Sequence, residues 1–451
     1  MKKLLVILAV FVALVTNAQI VSGPMIGHTE LRTATIWMQF TQSVSAANVV
    51  FYKNGSSIKH SSNFNIRSGL FKTATAVLYD LEPATTYHYS VLIDKRKDTV
   101  ASGEVTTQTL WQWRDKTVPL PNFSFLTGSC AYINQSAYDR PGKPYGNDSS
   151  IFQTMAKEKA DFMLWLGDNW YTREVDYYGE WGLQNRPAQE RAMPVYKNFL
   201  KAMPHYAIWD DHDYGWNDAD KSFPLKETSL EVFKNFWCNP SYGENNQGIY
   251  TKVTWNDVDV FLLDDRWFRS NDDTPDSING QVNTSKKMYG EQQMEWLKNA
   301  LLQSNHNSNV TFRCIATGSQ VLNPLSPYDC FRHYSAEYKE MMDFIKDNHI
   351  NGIVFLTGDR HHSEVIKIDR VGTYPLYDIT ASPLTSGSHK FGNEEKDNPY
   401  RVVGVENMQN YTKISLSGDK KNRKMLVEFF DTKGIKQTEW STTVKDLKSP
   451  K

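Results

Sequence analysis

Four times along the chain a short apolar run stops on residues that bind metals or move protons, and no other feature limits the possible folds so strongly. The run at 123–126 is followed by Thr-Gly-Ser-Cys130 and the run at 162–166 by Gly-Asp168-Asn-Trp-Tyr171. The run at 206–209 leads into Asp210-Asp211-His212-Asp213, and 353–356 into Thr-Gly-Asp359-Arg-His361-His362. Each run has the length of a strand buried on both faces. Further runs of this kind lie at 258–263 and 311–316. Helical patterns alternate with them at 195–203, 229–237, 290–303 and 336–348, and another helix starts near Ser149 or Ser150. The expectation is a layered α/β domain over residues 115–445, with 411–416 and 424–430 completing one of its sheets. In such domains the carboxyl edge of the strands is where ligands bind.

A run such as Asp-Asp-His-Asp at a strand end is costly without a counter-ion, because crowded carboxylates repel and raise each other's pKa. Gly167 and Gly358 are expected to turn the backbone tightly enough for Asp168 and Asp359 to point inward. The thiolate, carboxylate, phenol and imidazole side chains at these strand ends are a set sufficient for two metals sharing one bridging carboxylate. Singly, Gly-Asp after a strand is an ordinary turn and a cysteine an ordinary core residue. Four such clusters on one edge argue for metal.

Upstream, residues 19–110 read as β only, with runs at 32–40, 48–53, 74–79 and 87–93. The stretch Leu81-Glu-Pro-Ala-Thr-Thr-Tyr-His-Tyr89 resembles the tyrosine corner of fibronectin type III sandwiches, which implies that the Tyr87 hydroxyl folds back onto nearby backbone. A small β-sandwich follows, serving as a spacer or as a ligand-binding module. Lys2 and Lys3, the apolar stretch 4–15 and Thr16-Asn17-Ala18 predict a signal peptide over 1–18, cut after Ala18, and hence a periplasmic or secreted protein. That stretch is too short to span a bilayer. With 50 Lys+Arg against 51 Asp+Glu, the chain has no bulk positive charge for a nucleic-acid backbone. Cys130, Cys238, Cys314 and Cys330 form an even set. If Cys130 binds metal, Cys314 and Cys330 are the expected disulfide pair, or none is paired.

Gly-Ser-Cys130, Gly-Asp168-Asn-Trp-Tyr171, Trp209-Asp-Asp-His-Asp213 and Gly-Asp359-Arg-His361, in this order, resemble the motifs of the PhoD-type alkaline phosphatases and phosphodiesterases, a branch of the calcineurin-like metallophosphoesterase superfamily. Leu263-Asp-Asp265-Arg266-Trp-Phe-Arg269 and Tyr289-Gly-Glu-Gln-Gln-Met-Glu-Trp296-Leu are similar to two further family segments. The resemblance covers roughly residues 115–390 and implies a metallophosphoesterase-like layered α/β sandwich behind a fibronectin III-like domain. By resemblance, Asp168 bridges two ions. Cys130, Tyr171 and His361 complete an Fe(III) site, and Asp211 and Asp359 hold Ca²⁺. The softness of the donors agrees with that division, although zinc or manganese also fit it.

His212 falls where the superfamily has the histidine that meets phosphate. It would donate to a substrate oxygen or protonate the leaving group, with Asp213 fixing its tautomer. The alternative makes His212 a ligand and Asp213 a cap. Arg266 would clamp phosphoryl oxygens or form a structural ion pair, and Asn169 would touch substrate or metal. Arg360 and His362 depart from the family pattern: His362 allows the imidazole ligand to slip by one position, and Arg360 adds positive charge at the mouth. Asp213 stands where many relatives carry Glu. The implied function is an exported binuclear-metal phosphatase acting on small phosphate mono- or diesters through a metal-bound hydroxide, without a covalent intermediate. The reading from another class is a non-enzymatic adhesion or glycan-binding protein that uses the sandwich, with Trp111 and Trp113 as a binding face.

Overall fold

The computed structural model describes residues 19–93, 99–114 and 117–450. The expected signal peptide at 1–18 lies outside them. No described helix is long and apolar enough to cross a membrane. The described residues form two compact units, one running to Leu110 and including Pro187–His205, the other comprising Trp111–Arg186 and the chain from Tyr206 onward.

In the first unit, alternating sequence becomes alternating burial: along Thr86–Ile93, Tyr87, Tyr89, Val91 and Ile93 face inward. Two four-stranded sheets result, ordered Ile20–Thr29, Ala34–Phe40, Lys72–Leu78, Asn65–Ile66 and His60–Asn63, Ala47–Lys53, Thr86–Ile93, Ala101–Thr106. Ile36, Met38, Val49, Phe51, Tyr89 and Val91 fill the core between them. The tyrosine corner forms, with the Tyr87 hydroxyl accepting the Glu82 N–H at 2.9 Å and so satisfying a turn donor. The helix expected at 195–203 is absent apart from a 3₁₀ turn at Pro194–Tyr196. Pro204 disfavours helical backbone before it, and the Leu200 carbonyl accepts the Ile26 N–H at 3.0 Å, as a strand neighbour would.

The second unit contains a six-stranded sheet, ordered His205–Ile208, Phe162–Leu166, Phe123–Gly128, Asn410–Ser417, Lys424–Asp431, Lys436–Thr443. A seven-stranded sheet runs Thr251–Trp255, Val258–Leu262, Phe312–Ala316, Ile353–Thr357, Leu376–Thr380, Ser363–Ile368, Arg401–Val405. Helices Lys226–Phe236, Gly290–His306 and Ser335–Asp347 correspond to expected ones. Glu180–Arg191 does not, its pattern being polar and carrying Pro187. Aromatic packing links the sheets: Phe162 stacks on Phe125 at 4.6 Å and reaches Trp255 at 5.1 Å, and Tyr377 meets Trp440 at 4.4 Å. Such pairs add about 0.5–1.5 kcal/mol each beyond the area they bury. Cys130, Cys314 and Cys330 are buried and form no disulfide, so of the two expectations the Cys314–Cys330 bridge is the one that does not hold. Cys314 lies in the middle of a strand, while the Cys330 thiol donates to the Asn323 carbonyl at 3.5 Å.

Candidate metal centre

Strands Phe123–Gly128 and Phe162–Leu166 run parallel, with Gly128 opposite Trp165. The ladder continues past both ends: the Cys130 N–H donates to the Gly167 carbonyl at 3.3 Å and the Ala131 N–H to Asp168 at 2.8 Å, which sets Cys130 beside Asp168. Gly167 has φ of +90°, and a Cβ there would fall 2.7 Å from that of Asp210. Gly358 serves differently, through close approach: a Cβ would meet the Leu166 carbonyl at 2.5 Å and the Ser129 Cβ at 2.8 Å. Its backbone thereby brings Asp359 and His361 from the other sheet to the same rim. Cys130, Asp168, Asp359 and His361 all hold positive φ, between 52° and 67°. Side chains other than glycine, asparagine and aspartate seldom adopt this conformation, and its clustering marks a functional site.

The rim gathers two donor groups that share a carboxylate. Cys130, Asp168 and His361 form one, and Asp168, Asp211 and His212 the other, with all ligand atoms of a group within 4.8 Å of one another. Cys130 Sγ lies 3.6 Å from Asp168 Oδ2, and the buried Tyr171 hydroxyl lies 3.3 Å from His361 Nε2. His361 Nδ1 donates to the Gly387 carbonyl at 2.6 Å, which leaves Nε2 as the lone-pair nitrogen. His361, rather than His362, thus stands in the donor group with Cys130 and Asp168. His362 instead joins Glu364 and Glu395, whose charges Arg401 and Arg360 already match at 2.6 Å each. Arg360 is thus buried and paired, correcting the expectation of free positive charge at the mouth. Asp359 belongs to neither donor group but lines the same cavity of about 820 Å³ as Asp168, Asp211, His212 and His361. His212 stands in the second group instead.

The electrostatics call for a cation. Burial, reinforced by Asp211 and Cys130, raises the Asp168 carboxyl well above the usual range. Burial and then the Asp359 charge push the Cys130 thiol up to about 11, and burial with the Asp329 charge lifts Asp359 to about 7. Burial also acts to raise Asp211, but the neighbouring His212 and Arg266 charges hold it low. One His212 ring nitrogen lies 4.0 Å from Asp211 and the other is buried with no partner, as is Asn169 Oδ1. Soft donors in one group, oxygen-rich donors in the other and two buried polar atoms without a hydrogen-bond partner fit two ions.

Three sequence expectations need correction. Asp213 does not orient His212. Consecutive residues of the helical turn Asp211–Tyr214 do not face one another, and the Asp213 carboxylate instead accepts the Asn169 N–H at 2.9 Å and the Asp210 N–H at 3.0 Å. Burial lifts it to about 8. Arg266 does not reach the cavity wall. Fully buried, it binds Asp210 at 2.5 Å and Asp329 at 2.7 Å, the ion-pair alternative. Trp111 and Trp113 make no common face, one being buried and the other 85% exposed. Asn169 donates to the Ile208 carbonyl at 2.8 Å, bracing the strand end beside Asp168. Sequence reasoning missed Tyr145, Asp329 and His389, all of which line the cavity from loops that carry no periodic signal.

Comparison with known proteins agrees with this architecture. The PhoD-like phosphatase family profile matches residues 125–434, and a domain of unknown function (DUF7800) matches 17–109. Alkaline phosphatase D of Bacillus subtilis (strain 168) is 26% identical over 294 residues, 55% of this chain and 48% of that protein, so the match spans about half the relative's length. The solved structure of PhoD superposes with a TM-score of 0.74 at 18% identity, over 96% of this chain and 92% of that one. Purple acid phosphatase PPD1 from yellow lupin (Lupinus luteus) seeds gives 0.63 at 10% identity, over 93% and 74%.

Proposed function

The chain belongs to the PhoD-like phosphatase family, and from that premise we propose that it is an exported binuclear-metal phosphatase hydrolysing phosphate mono- or diesters. The observation that carries this reading is the sharing of buried Asp168 between a soft and a hard donor group on one cavity. Cys130, Asp168, Tyr171 and His361 would hold Fe(III), and Asp168 and Asp211, with His212 or Asp359, would hold Ca²⁺. Bound there, the ions supply Lewis acidity, both to a water and to the phosphoryl oxygens.

The protein's own groups do the rest. Asp213 and Asn169 brace the strand end that presents Asp168. Arg266 fixes Asp210, and with it the start of the turn that carries Asp211 and His212. His212, half-buried on the cavity wall, offers a ring N–H to a phosphoryl oxygen or to the leaving group wherever it is not itself a ligand. A cavity of about 820 Å³ accommodates an ester with a sizeable alcohol on either side of the phosphorus. Export rests on Lys2, Lys3 and the apolar stretch before Ala18.

The purified protein should release nitrophenol from mono- and bis-nitrophenyl phosphate, and a chelator should abolish the release. Full activity in metal-free protein would end the proposal. The ratio of the two rates separates a monoesterase from a diesterase. Bound as phenolate to Fe(III), Tyr171 should give a visible charge-transfer band, removed in Tyr171→Phe. A colourless protein with stoichiometric zinc would overturn the iron assignment.

A further inference from the structure

Tyr145 belongs to neither donor group, yet its hydroxyl lies over the rim, 3.2 Å from His361 Nδ1 and 3.4 Å from Nε2. The residue is 41% exposed and lines the cavity. An ordinary tyrosine phenol keeps its proton at neutral pH, so the hydroxyl has a hydrogen to donate. The ring is locked. It packs edge-on against Tyr132 at 5.0 Å, and Tyr132 is fixed by its hydroxyl to Asp139 at 2.8 Å and by the Arg173 guanidinium 3.8 Å above its face. The loop is locked as well: the Asn134 side-chain amide both donates to the Gly146 carbonyl at 2.6 Å and accepts its N–H at 2.9 Å, while the Asn147 N–H donates to Thr385 at 2.8 Å.

His361 Nδ1 gives its hydrogen to Gly387, so among the described residues the only lone pair within reach of the Tyr145 O–H is Nε2. On the reading of His361 as a ligand through Nε2, that lone pair is taken, and the phenol hydrogen has no acceptor among the described residues. A fixed, protonated donor at the edge of an anionic rim, with its hydrogen uncommitted and its residue on the cavity wall, is placed for an incoming oxygen.

We propose that Tyr145 is a further catalytic residue, whose hydroxyl donates a hydrogen bond to a phosphoryl oxygen of the bound ester. This rests on the phosphatase reading, and the tests of the two can be separated. In metal-loaded Tyr145→Phe, kcat/KM for bis-nitrophenyl phosphate should fall about 10- to 100-fold, the loss expected for one hydrogen bond to a charged oxygen. Metal content and visible spectrum should match the parent, and calorimetric titration with inorganic phosphate should show a Kd weaker by a similar factor. A rate within about twofold of the parent, or an unchanged phosphate Kd, overturns the proposal. Loss of metal from Tyr145→Phe also overturns it, because Tyr145 would then act on the centre rather than on the substrate. If the parent protein hydrolyses no phosphate ester, the function reading falls, and the phosphate titration still decides whether Tyr145 binds the anion.

Discussion

Asp168→Asn should lose both ions and at least about 10³ of kcat/KM, some 4 kcal/mol of transition-state stabilisation. The side chain keeps its shape and loses its charge. Both donor groups need that charge, since Asp168 is their common member. The fold should survive, and for a stated reason. Asp168 is fully buried, and its ionised form is opposed by burial and by Asp211 and Cys130. Removing the charge relieves that crowding, so metal-free Asp168→Asn should melt no lower than metal-free parent protein. Elemental analysis, steady-state kinetics and calorimetry check the three parts. A variant that keeps both ions and its rate would contradict the shared-carboxylate site.

Arg266→Met carries the largest expected cost in stability. The guanidinium is buried between Asp210 and Asp329, and methionine retains the stem while leaving those carboxylates without it. Breaking a buried pair in this way costs about 3–5 kcal/mol. The lower end is expected here, because Arg269 still holds Asp329 at 2.8 Å. Denaturant unfolding at neutral pH measures the loss. Kinetics separate this role from the phosphate clamp that the sequence also allowed. An internal strut predicts lower stability with KM little changed, whereas a clamp predicts a large rise in KM with stability intact.

The parts of the site that could be read from sequence are those fixed within a few residues. A strand buried on both faces must be an unbroken apolar run, and its ligand must lie in the next two to five positions, which is why Cys130, Asp168, Tyr171, Asp211 and His361 stood out together. Tyr87 was legible for the same reason, its partner being Glu82. Partners chosen in three dimensions were not. Arg266 meets Asp329 across 63 positions, and nothing in either segment encodes that. Tyr145 reaches His361 across 216. Edge strands such as Lys436–Thr443 bury little, so they lack the apolar pattern that announces an inner strand. Asp213 misled by proximity, since adjacency along a helical turn turns two side chains away from each other.

Cys130, Asp168, Asp359 and His361 share a left-handed backbone that a free chain seldom visits, imposed by the sheet ends on which they stand. A β-branched side chain at any of the four positions would therefore be resisted by the main chain itself, before its donor chemistry came into question.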